Sequence, residues 1–272
     1  MVDTVRMRPC NQNLGLCVLL CAGACGGSAP VIDRRIGEVH MHQYDTGAHL
    51  SVLFIAPGTP IARTSYDSAL PSVQPLLYDA EGCTVYSLSS CENGGCKVPD
   101  PIDGGPVALD GLPRAVNLSF DEQLGGYDDL TVDGPFLPGG MKASIVAVGN
   151  AKVPAFTGHV QLPMPFSPTS TLQSGIGSGL EIGWSPTKDG SIVQVLLSSV
   201  PMAGYSMVAT CTVDETTGRY RVPDAILALL PPAPRQLQLE ITRYRLVDIP
   251  VGDGAGVVMH GGHSVLSALS EP

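Results

Sequence analysis

The stretch RIGEVHMHQY (Arg35–Tyr44), the turn Asp45-Thr46-Gly47 and the stretch HLSVLFIA (His49–Ala56) decide the fold. The first alternates, with Val39 and Met41 on one side and Glu38, His40 and His42 on the other. Period-two alternation is the mark of a half-buried strand. The second is strongly apolar, and a short turn signal joins the two, so the spacing predicts a β-hairpin. Similar runs recur outward from it: Cys83–Leu88, Ala115–Phe120, Lys142–Val148 and Gly158–Leu162. Leu180–Trp184, Ser191–Ser198, Tyr205–Val213, Gln236–Val247 and Val257–Leu269 complete the series, the last run closing the sheet. Leu180–Trp184 is expected to pair with Ser191–Ser198 across Lys188-Asp189-Gly190. Pro163–Ser174, with three prolines and many hydroxyls, reads as a linker. One helix is expected, Pro223–Leu230, started by Pro223 and Asp224 and stopped by Pro231-Pro232. Many short strands at regular spacing mean sandwich or barrel. The reading is all-β: two small Ig-like β-sandwich modules, residues 31–165 and 170–272, with one short helix in the second.

Composition agrees with strands and turns. The 272 residues include 32 Gly and 24 Pro, about a fifth of the chain, which disfavours long helices. Charged residues are 15% and apolar residues 44%, a balance that excludes a charge-driven disordered chain. Only 15 Lys and Arg stand against 25 Asp and Glu, with no basic run, so nucleic acid is not an expected partner.

The first residues read as an address. Arg6 and Arg8 precede LGLCVLLCAGA (Leu14–Ala24), a run too short to cross a bilayer and suited to a secretory signal. Small residues Ala22-Gly23-Ala24 lead directly into Cys25. This resembles the lipobox of bacterial lipoproteins, with Ala22 where Leu is usual. The expectation is cleavage after residue 24, lipidation of Cys25 and a flexible tether over 25–30. Cysteine parity supports it. Of the eight cysteines, 10, 17 and 21 leave with the signal, and a lipidated Cys25 leaves four, an even number. The alternative is plain secretion to the periplasm or beyond. Residues 1–24 carry Arg6 and Arg8 against Asp3, so the mature chain is one unit more negative than −10.

Four runs come in order: CTVYSLSSCENGGC (83–96), KVPAFTGHVQLPMP (152–165), LEIGWSPTKDGSIVQVLLSS (180–199) and RYRVPDAILALLP (219–231). Together they resemble a group of secreted lipoproteins from large-genome Gram-negative bacteria, a family with no assigned activity. The resemblance implies an envelope location, in the outer membrane since Gly26 is not the retaining Asp, and two β modules. It implies no substrate.

Cys83, Cys91 and Cys96 lie within 14 residues and Cys211 far off. Either one of the cluster pairs with Cys211, stapling the two modules, or a local Cys83–Cys91 or Cys91–Cys96 bridge leaves Cys211 buried near Trp184. The intervening spacings of seven and four residues do not suit a cysteine zinc site. His40 and His42 share a strand face with Glu38 and Tyr44 beside them, and His49 sits on the paired strand. Such a face offers candidate metal ligands; the competing reading is the solvent face of an edge hairpin. His260-Gly-Gly-His263 is a second, looser pair. Asp-rich turns at 100–104 and 128–134 lack the spacing of a calcium loop. No nucleophile elbow, HExxH or phosphate-cradling loop occurs, so no catalytic residue and no cofactor is assigned. Tyr66, Tyr78 and Tyr86 are the candidates for a sugar platform. The function expected is a lipid-anchored, non-enzymatic envelope protein with a structural or binding role. Its partners are the membrane, through the lipid, and a protein or glycan. The alternatives are a carbohydrate- or peptide-binding adhesin and a secreted hydrolase with a dispersed or metal-assisted site.

Overall fold

The computed structural model describes residues 34–56, 76–80, 82–87, 101–123, 125–127, 130–169, 179–199, 207–230, 235–252 and 254–271. In chain order the strands begin with the expected hairpin, β1 (Arg34–Gln43) and β2 (Gly47–Phe54). β3 (Leu76–Ala80), β4 (Cys83–Ser87), β5 (Val107–Asp110), β6 (Val116–Leu118), β7 (Phe120–Asp121), β8 (Gly126–Tyr127) and β9 (Leu130–Asp133) follow. Next are β10 (Lys142–Ala147), β11 (Phe156–Gln161), β12 (Glu181–Gly183), β13 (Ile192–Ser199), β14 (Met207–Asp214) and β15 (Arg219–Arg221). After the helical turn α1 (Asp224–Leu227) the long pair β16 (Arg235–Pro250) and β17 (Ala255–Glu271) ends the chain. The protein is all-β, built of several sheets, and the described residues hold one short α-helix and one 3-10 turn (Glu215–Thr217). Among the described residues no helix is long and apolar enough to cross a membrane. The signal, the tether and Cys25 lie outside the described residues, as do Cys91 and Cys96.

Nine strands form one sheet in the order β3-β4-β14-β13-β16-β17-β1-β2-β9. A second sheet has the order β11-β10-β5-β6. Alternation gives each strand of the large sheet an apolar face, and that face carries two cores. Val39, Met41, Leu50, Val52, Val257 and Met259 meet Leu109, Ile145 and Val160 of the four-stranded sheet. Farther along the same face, Val85, Val195, Ala209, Leu239 and Ile241 meet Trp184, Ile182 of β12, Val222 and Ile226 of α1. Each core is a layer facing a layer, the sandwich solution to burying one side of a sheet.

The expected cut into 31–165 and 170–272 does not follow the sheets. Strands from both sides of it share the nine-stranded sheet, with β14, β13, β16 and β17 set between β3-β4 and β1-β2-β9. β4 joins the second core, while Ile249 and Val257 join the first. The cause is strand length. β16 and β17 pair over sixteen positions, from Arg235↔Glu271 to Pro250↔Gly256, long enough to underlie both cores. β17 does not close the sheet at an edge; it lies inside it, parallel to β1. The expected pairing of Leu180–Trp184 with Ser191–Ser198 also does not form. β12 pairs β15, and β13 lies between β14 and β16. Glu215 is the reason. Its carboxylate accepts from the Thr187 and Lys188 amides at 2.6 and 3.2 Å, and its carbonyl accepts from the Trp184 indole at 2.8 Å. Those bonds tie the 184–188 segment to the turn that precedes β15.

Cys83 and Cys211 are bonded to each other, as direct cross-strand partners on β4 and β14. Both belong to the second core, so the bond holds neighbouring strands of one core and does not staple two modules.

Candidate metal centre

Because Val39 and Met41 enter the first core, Glu38, His40 and His42 project from the opposite face of the large sheet. A register shift between Arg35 and Gly37 sets this phase, since Ile36 before it is also a core residue. The same alternation on β17 buries Val257 and Met259 in the core and turns Val258, His260 and Ser264 outward. Parallel pairing then places His40 opposite His260. Their rings stack with centroids 4.2 Å apart, and His42 lies 6.1 Å from His40. His49 is the register partner of His42 on β2. Gly262 makes room here: a Cβ on it would stand 3.3 Å from His42 Cε1.

Glu38 organises the group. Its Oε1 accepts from Arg35 Nη1 at 3.1 Å and its Oε2 lies 3.0 Å from His40 Nε2. Glu38, His42 and His260 are buried, at 3, 4 and 1% exposure, while His40 is half-buried. The edge-hairpin reading therefore fails: β1 lies between β17 and β2, and its histidines are covered. Burial, and secondarily the other histidines, hold the His42 imidazole well below its ordinary range. Burial first and His40 second do the same for His260, against the opposing pull of Glu38. These imidazoles are neutral at pH 7. Tyr44, tilted against His42 at 6.1 Å, is pushed up to about 12 by burial and then by Glu240.

The sequence grouped His40, His42 and His49 and kept His260 and His263 apart. The fold adds His260 to the first group and sends His263 to the other face. There His263 is the partner of Arg243 on β16. Burial, then the Arg243 charge, lowers it to about 4. Sequence reasoning missed the polar row beside the histidines. Thr242 and Ser264 share a hydroxyl hydrogen bond of 2.7 Å, and Thr242 donates to Glu240 at 3.2 Å. Gln194, 1% exposed, is the next residue of that row, and neither of its amide atoms has a hydrogen-bond partner among the described residues. The polar positions of QLQLEIT (236–242) were the available signal. Of the acidic turns, Asp103 accepts from the Gly105 amide at 2.8 Å, an ordinary turn bond. Tyr78 and Tyr86 lie on β3 and β4, and Tyr66 is outside the described residues.

A cavity of about 560 Å³ lies where β11 meets β16, lined by Lys142, His159, Gln161, Asp189 and Arg245 among others. It belongs to the core side of the large sheet, away from Glu38 and His40. Burial works to raise the Asp189 carboxyl. Hydrogen bonds from Ser191 and Thr187 and the Arg245 charge outweigh it and hold Asp189 below the ordinary carboxylate range.

No family model matches this sequence, and no curated protein matches it. Among solved structures, the FN1–FN3 domains of chicken CNTN1 are similar at 10% identity, over 83% of this chain and 77% of that one, with a TM-score of 0.22. A likeness at that level assigns no function.

Proposed function

We propose that this chain is a lipid-anchored, non-enzymatic protein of the bacterial cell envelope, a β scaffold with a structural or binding role. The observation that carries the reading is the Cys83–Cys211 bond within a buried core. Disulfides form and persist in oxidising compartments and are rare in the cytosol. The apolar run Leu14–Ala24 before Cys25 supplies the export route and the attachment point. A lipoprotein N-terminus carries more than one acyl chain, and two membrane signals give stable anchoring where a single chain is marginal. The acidic balance opposes docking on anionic lipid or nucleic acid, so attachment rests on the lipid.

Mass spectrometry of the protein recovered from membranes of its native host tests the reading. The expected N-terminal peptide begins at an acylated Cys25, and a non-reducing map contains the Cys83–Cys211 peptide pair. Recovery of the chain from the soluble fraction with Met1 attached and Cys83 and Cys211 as free thiols overturns it.

A further inference from the structure

The structure points to a binding site on the far face of the large sheet. We infer that Glu38, His40 and His260 together bind one divalent first-row transition-metal ion. Their donor atoms all lie within 4.8 Å of one another, the carboxylate and one imidazole from β1 and the second imidazole from β17. The inference concerns the folded chain alone and stands whether or not the protein is anchored.

The donor set selects the ion class. Two imidazole nitrogens and one carboxylate oxygen suit Zn²⁺ and its first-row neighbours. Ca²⁺ and Mg²⁺ take oxygen ligands in larger number and are not served here. The distances fit a small ion. Donors about 2.1 Å from a tetrahedral Zn²⁺ stand ~3.4 Å apart. Glu38 Oε2 and His40 Nε2 are 3.0 Å apart, and since no separation exceeds 4.8 Å the widest must close by no more than roughly 1.4 Å. Side-chain torsions of the half-buried His40 can supply that movement without a shift of either strand, and the same rotation must take its ring out of the stack with His260 so that the in-plane lone pairs converge. The backbones are fixed by the parallel register that makes His40 and His260 neighbours.

The surroundings favour a held ligand set over a chance cluster. Arg35 engages Glu38 Oε1, which directs Oε2 toward the imidazoles and makes the carboxylate a monodentate ligand. The same guanidinium places a positive charge beside the ion, which lowers affinity below that of a site without it. Three protein ligands leave one coordination position for water or an exogenous ligand.

The test is titration of the purified, disulfide-bonded full chain with Zn²⁺ by calorimetry and with Co²⁺ by absorption. Expected are one equivalent of Zn²⁺ and a Co²⁺ spectrum of the intensity of a four- or five-coordinate site. His40→Gln and Glu38→Gln are each expected to weaken binding by about 100-fold or more, and His159→Gln to leave it unchanged. His260→Asn is buried and is a risk to folding, so a second readout uses the unmodified protein. Zn²⁺ should protect the half-buried His40, and not His159, from diethyl pyrocarbonate, mapped by mass spectrometry. Absence of one-equivalent binding overturns the inference. So does undiminished binding by a Glu38→Gln/His40→Gln variant with a native near-ultraviolet spectrum, or protection confined to His49 or His159.

Discussion

Glu215→Gln is expected to be among the most destabilising single changes in this protein. Glu215 and Arg243 face each other at 3.0 Å with side chains only 1 and 3% exposed. The carboxylate also receives the Thr187 and Lys188 amides. On the other side, Arg243 donates to the Ser185 carbonyl at 2.7 Å and the Pro165 carbonyl at 3.2 Å and covers the Phe166 ring at 5.2 Å. Removing the negative partner leaves a guanidinium buried against carbonyl dipoles and the Asp189 charge, without its 3.0 Å ion pair, which costs about 3–5 kcal/mol. Removing both charges, as Glu215→Gln/Arg243→Met, abolishes the stranded charge and keeps much of the volume. The double variant should then be more stable than Glu215→Gln by about 2 kcal/mol or more. Urea unfolding at pH 7 reads both numbers. Trp184 is the single tryptophan, is buried in the second core and donates its indole N–H to the Glu215 carbonyl, so its fluorescence reports this region directly. Circular dichroism on the same samples checks that one transition is being followed. A Glu215→Gln variant within about 1 kcal/mol of the parent would refute the reasoning, as would a double variant whose cost equals the sum of the single costs.

Three further outcomes follow from the structure. Reducing Cys83–Cys211 opens a loop spanning 128 residues of sequence, worth about 5 kcal/mol on the chain-entropy account; the urea midpoint should fall sharply with reductant, and an unchanged midpoint removes the bond from the stability of the fold. His263 titrates near 4 when folded and at 6.5 when unfolded, so the unfolded chain binds the extra proton; stability is full above pH 6.5 and declines as pH falls toward 4, by about 2–3 kcal/mol from this residue after allowance for partial solvent access. His263→Leu should flatten the stability-versus-pH curve in that window by up to one proton, and an identical slope contradicts the assignment. Gly149 has φ +75° and a Cβ there would meet the Ala155 amide nitrogen at 2.3 Å, whereas Gly125, φ +68°, faces open space; Gly149→Ala should cost about 3 kcal/mol or more and Gly125→Ala about 1–2 kcal/mol by thermal melting, and equal costs would show that backbone conformation alone decides.

The strands were legible because their signal is local. A buried face repeats every second residue, and β1, β2, β10, β13, β14, β16 and β17 each carry that repeat over five residues or more. The shorter β3, β5, β9 and β15 went unread, since three to five residues give alternation too few cycles to stand out. Pairing was legible only where a tight turn joins neighbours. Asp45-Thr46-Gly47 marked the first hairpin, but Lys188-Asp189-Gly190 marked a turn whose flanking strands take other partners. A local turn signal does not register the 28-residue reach of Glu215 to Thr187 that redirects the chain there.

The same division runs through the candidate site. Sequence alone determined that the chain is all-β and that His40 and His42 share a face with Glu38. Those are consequences of residue type and of a side-chain period of two. Only the folded structure decided that His260, 220 positions beyond His40, is its stacked neighbour, and that His263 is not. Parallel pairing of β1 with β17 depends on how seven other strands fill one sheet. A register of that kind is fixed by burial summed over the whole face, a quantity that no window along the chain contains.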